Sequence, residues 1–85
     1  MISAALAFAA EALFASDVQP SDHATRADLH AAIDATVLSY GAGGVTALVA
    51  AEYGDHPTLA VRRMRWARIA ARRAVAARPG IRAVV

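Results

Sequence analysis

GDHPTLAVRRMRWARIAARR, residues 54–73, holds six arginines, and no acid follows Asp55. Its reading decides the fold. Gly54 closes whatever precedes it, Asp55 is a good N-cap, and Pro57 is tolerated in a first helical turn, where its missing N–H has no acceptor anyway. From there the residues sort at about 100° per step into two arcs. Leu59, Ala60, Met64, Trp66, Ala67, Ala70, Ala74 and Ala77 fall on one side. Arg62, Arg65, Arg68, Arg72 and Arg73 fall on the other, with Ile69 among them. The pattern predicts a helix over 56–77, stopped by Arg78-Pro79-Gly80 and followed by a tail at 78–85. Arg63 is out of place, inside the apolar arc beside Trp66 and Ala67. A buried arginine needs a partner. Glu52 and Asp55 are nearest in sequence, and a structural salt bridge or cap is expected, with an interface role as the alternative.

Working back from that helix, Gly41-Ala42-Gly43-Gly44 reads as a helix stop, because glycine takes left-handed backbone cheaply. No lysine and no strand flank it, so it is not a phosphate loop. A short helix over 45–53 then offers Val45, Leu48, Val49 and Tyr53 as contacts. Upstream, Thr25-Arg26-Ala27-Asp28 has the form of a capping box, a helix start. It predicts a helix over 25–40 with Leu29, Ala32, Ile33, Thr36, Val37 and Tyr40 on one face. The segment SDVQPSDHA, residues 16–24, breaks periodicity with Pro20 and several turn formers. A first helix over 2–16 carries Ile2, Leu6, Ala9 and Leu13 as a stripe, flanked by Phe8 and Phe14, with Glu11 opposite. The fold class expected is therefore all-α: a single domain of 85 residues, a small four-helix bundle whose last two helices form a helix-turn-helix-like pair.

Composition narrows the function. Of the 58% hydrophobic residues, 24 are alanines, which favour helix but bury little area each. The core is small, enough for a compact bundle or for half of a dimer. There is no cysteine, which excludes disulfides and thiol chemistry. Residues 1–54 carry six acids against Arg26, and residues 55–85 carry eight arginines against Asp55. So uneven a split points to a polyanionic partner, or to a match between the two halves. The N-terminal segment lacks a basic leader and Glu11 interrupts its apolar run. No stretch reads as the roughly 18 apolar residues of a membrane span. A cytoplasmic protein without a transmembrane segment is expected.

No serine–histidine–acid spacing, phosphate loop or paired carboxylates suggest catalysis. His23, His30, Asp34 and Asp22 match no familiar ligand motif. Neither a metal, a cofactor nor a small-molecule substrate is expected. Five arginines on one flank could neutralise several phosphates, and arginine can bridge phosphate oxygens or guanine edges. VTALVAAEYG, a tight DHP turn and a long helix also resemble a helix-turn-helix layout, with Ala50 and Gly54 four apart. The turn is short for that motif, and His56-Pro57-Thr58-Leu59 offers few base-reading groups. The leading expectation is a non-enzymatic regulatory protein that binds nucleic acid through Arg62, Arg65, Arg68, Arg72 and Arg73. Asp55, Pro57, Arg63, Met64 and Trp66 are structural in that reading, with Leu59, Met64 and Trp66 seating the helix on the core. The alternative is a helical protein–protein interaction module or homodimer with no nucleic-acid role.

ALFASDVQPSD, residues 12–22, together with EYGDHPTLAVRRMRWAR, residues 52–68, resembles a group of short actinobacterial proteins. They share GDHP, then Ala-Val, then RMRWA. The likeness covers most of residues 12–70 and is carried by Gly54, Asp55, His56, Pro57, Arg63, Met64, Arg65, Trp66 and Ala67. It implies a bacterial, cytoplasmic, helical protein. No activity is established for that group, so it supplies no catalytic residues.

Overall fold

The computed structural model describes residues 3–76 and is helical throughout its regular parts. Helix α1 spans Ala4–Ala15, a single 3-10 turn spans Pro20–Asp22, α2 spans Arg26–Asp55, and α3 spans Pro57–Ala76. All three helices pack on one another. Where four helices were expected, the second and third are joined as α2, bent at one residue. Ile2, the expected end of the last helix at 77, and the tail at 78–85 lie outside the described residues.

Each helix begins for a local reason. Ser3 accepts from the Leu6 amide at 3.0 Å and caps α1, whose sequence is otherwise alanine, leucine and phenylalanine with one Glu. Ser16 ends it, its hydroxyl donating to the Leu13 carbonyl at 2.7 Å. At the head of α2, the Thr25 hydroxyl accepts from the Asp28 amide at 3.1 Å, and the Asp28 carboxylate accepts from the Thr25 amide at 3.0 Å. The backbone N–H of Thr25, and after it the Thr25 side chain, hold the Asp28 pKa below its ordinary 3.8. A carboxylate depressed on folding stabilises the fold above its ordinary pKa, and that contribution is lost as pH falls through the depressed value. Asp28→Asn should therefore be less stable than the parent protein at neutral pH, and the difference should close as pH falls below about 4.

Gly41 supplies the bend. Its φ of 70° and ψ of 166° lie in a region that only glycine occupies without strain. A Cβ there would meet nothing within 4 Å, so the cost of a side chain is purely conformational. Gly41→Ala should lose about 1–3 kcal/mol of stability in denaturant titration. Replacement of the nearby Gly43, whose φ is not left-handed, should not carry that penalty.

The core is thin and rich in alanine. Ala9, Ala10, Leu13 and Phe14 from α1 meet Leu29 from α2 and Ala60, Met64, Ala67, Ala70, Ala71 and Ala74 from α3. Val45 is fully buried. Phe14 stacks on Tyr53 with ring centroids 6.0 Å apart. Two expected core residues are not there: Tyr40 is 53% exposed, next to the bend, and Leu59 is 60% exposed. Leu59 sits in the first turn of α3, on the margin of its apolar arc, and the core begins one residue later at Ala60.

By length and composition α2 is apolar enough to cross a membrane: an 18-residue window has mean hydropathy 1.3 and at most two charges. Alanine, small but of positive hydropathy, contributes to that mean alongside the valines and leucines of α2.

Candidate nucleic-acid interface

Five cationic side chains hang on the outward flank of α3. Arg62, Arg65, Arg68, Arg72 and Arg73 are all exposed, and Ile69 among them is 58% exposed. The helix places them there because alanines fill its opposite side. Ala60, Ala67, Ala70, Ala71 and Ala74 are each almost completely buried, so that side is fixed against α1 and α2. From Arg62 to Arg72 the row rises about 15 Å, at roughly 1.5 Å per residue.

Among the described residues no arginine has a carboxylate within 4.0 Å. The ion pair there is Glu52 with His56, at 3.3 Å across one turn at the end of α2. Arg73 differs from the other four in having a defined partner, donating from Nη2 to the Ala24 carbonyl at 3.1 Å. Pro57, Thr58, Val61, Arg62 and Arg65 line an open depression at the start of α3.

Arg63 does something the sequence did not reveal. It reaches neither Glu52 nor Asp55. Instead its Nε donates to the Phe14 carbonyl at 3.1 Å, and its Nη2 donates to the carbonyls of Leu13 at 3.1 Å and Ser16 at 3.0 Å. The last carbonyls of a helix lack amide partners and carry partial negative charge, so a guanidinium fork suits them. Trp66 lies under the same group, 4.3 Å from its carbon to the ring centroid. Nη1 is buried without a hydrogen-bond partner. Desolvation lowers the Arg63 pKa from its ordinary value, though arginine stays charged in proteins.

The other singled-out residues are placed as follows. Asp55 is the last residue of α2, and His56 is the residue that precedes α3, its carbonyl accepting from Ala60 at 2.8 Å. The cap expected from Asp55 is therefore shifted by one. Pro57 opens α3, and Met64 is buried. His30 donates from Nε2 to the Ala74 carbonyl at 2.7 Å, which ties α2 to the last described turn of α3. Among the described residues no three of His, Asp and Glu gather as a metal site.

No family model matches the chain, and no curated protein or solved structure is significantly similar to it. What defines it is its own geometry: an all-helical protein with a row of arginines that, among the described residues, meets no carboxylate within 4.0 Å.

Proposed function

We propose that this is a small non-enzymatic protein that binds nucleic acid through Arg62, Arg65, Arg68 and Arg72, with Arg73 at the edge of the contact. The observation that carries the reading is the unpaired arginine row. Four exposed guanidinium groups within about 15 Å, with no carboxylate of the described residues within 4.0 Å of them, leave a local positive field for a polyanion. The segments of α2 on either side of Gly41 are the second and third of four helical pieces in this reading. The later piece and α3 form the helix-turn-helix-like pair, with α3 facing the duplex. The flank offers arginine, isoleucine and valine but few other base-reading groups, so contacts to phosphate dominate and sequence preference is weak. The bacterial, cytoplasmic setting implied by the actinobacterial likeness belongs to the same proposal.

The test is fluorescence anisotropy with a labelled duplex across a salt series. Four phosphate contacts give a log–log slope of about −3.6, a loss of roughly 150-fold between 50 and 200 mM salt. The triple variant Arg65→Ala, Arg68→Ala, Arg72→Ala should bind about 100-fold more weakly at low salt, with a slope near −0.9. An unchanged affinity in that variant, or a flat salt response in the parent protein, refutes the proposal.

A further inference from the structure

The acids and arginines of this chain are separated in space as well as in sequence. Asp28, Asp34, Glu52 and Asp55 are exposed along α2, and Asp17 and Asp22 are exposed on the connection before it. None of them meets an arginine among the described residues. The reason is geometric. Three helices that share one core turn their outer flanks away from one another, so the outer flank of α2 cannot reach the outer flank of α3 in the same molecule.

Each flank also carries a large aliphatic side chain in water. On the first half of α2, Leu38 is 88% exposed. It lies one turn beyond Asp34, among the exposed alanines 31 and 35, so the surface around it is flat. On α3, Ile69 stands between Arg65 and Arg72. Beside the α2 flank runs a groove of about 380 Å³ with Asp17, Asp22, Ala35 and Tyr40 in its walls. Such a groove suits an arginine, with the stem on alanine, the cation toward the carboxylates and the phenol ring alongside.

We infer that the arginine-and-isoleucine flank of α3 docks on the acidic, alanine-lined flank of α2 in a second copy of this chain, Ile69 against Leu38. Charge complementarity selects this occupant. Two α3 flanks repel each other, and so do two α2 flanks, which disfavours a two-fold contact through either. A contact between two different patches is heterologous, and each added copy presents a fresh patch, so the association continues into a ring or an open row. The inference does not depend on the nucleic-acid reading. The same arginines serve one partner or the other at a time.

The test is sedimentation velocity on nuclease-treated protein, with no nucleic acid present. At about 20 mM salt the sedimentation coefficient should rise with protein concentration, and at about 500 mM the protein should run as monomer. Two surface variants then separate the patches. Arg65→Glu with Arg72→Glu removes the basic patch, and Asp34→Arg with Leu38→Gln removes the acidic one. Each alone should stay monomeric at low salt, with unchanged circular dichroism. Mixed, they should form a one-to-one dimer and grow no further, because one intact patch of each kind remains. A parent protein that is monomeric at every concentration in low salt overturns the inference, whatever the variants do. A mixture that stays monomeric also overturns it, as does either variant associating by itself.

Discussion

Arg63→Ala should cost about 2–4 kcal/mol of stability, read as a fall in the denaturant midpoint with unchanged slope. The substitution removes three charge-assisted hydrogen bonds at once, to the carbonyls of Leu13, Phe14 and Ser16. The Leu13 carbonyl keeps the Ser16 hydroxyl and amide as donors, so the acceptors stranded by the loss are the carbonyls of Phe14 and Ser16 at the end of α1. Contact with Trp66 goes too. In thermal unfolding the same loss corresponds to about 15 °C for a domain this small. Two companions discriminate the causes. Arg63→Lys keeps the charge but cannot fork, so it should recover less than half of the loss. Arg63→Met keeps an apolar stem of similar length without the guanidinium, and should stay close to alanine if the carbonyls are what matter. A change below about 0.5 kcal/mol for Arg63→Ala contradicts this account, since that is the range of an ordinary surface substitution.

Ala67→Leu should be comparably damaging, at about 3 kcal/mol, near the upper end for overpacking. Ala67 is fully buried in a cluster where α1 and α3 meet largely through alanines. Alanine at that position lets the two backbones approach closely. A leucine needs several more carbon atoms of space, and interiors at crystal-like density do not hold it without moving a helix. Moving α3 would also draw Arg63 off the end of α1, so the two effects are coupled and the double variant should be less than additive. Ala35→Leu is the control. Ala35 is exposed, and leucine there should change stability by less than about 0.5 kcal/mol. Equal effects at positions 35 and 67 would mean that the close approach of α1 and α3 carries no energetic weight.

Much of this was legible from the residues alone. The two-arc pattern of α3 is written in its 3.6-residue period, and Thr25 with Asp28 announces the start of α2 because both partners of the box lie within four residues. The glycines at 41–44 marked the interruption. They did not tell that the chain would bend at Gly41 alone and resume as helix, since a stop and a bend use the same left-handed glycine. The partner of Arg63 was out of reach for another reason. Backbone carbonyls carry no sequence signature, and these lie 47 to 50 residues away. Leu59 misled because projection on a helical wheel assigns an angle but not the point where neighbouring helices end. The α3 arginines could be placed on one flank from the sequence. Whether acids of the same chain cover them depends on how three helices face, which only packing decides.

Arg63 and Arg73 together have a consequence for the stretch that links the first two helices. One holds the carbonyl of Ser16 and the other the carbonyl of Ala24, so α3 grips that connector at both of its ends. The position of α1 is thus dictated by a distant helix and owes little to the length of chain in between. Residues inserted near Ser21 would bulge outward as extra slack, and the bundle would keep its arrangement.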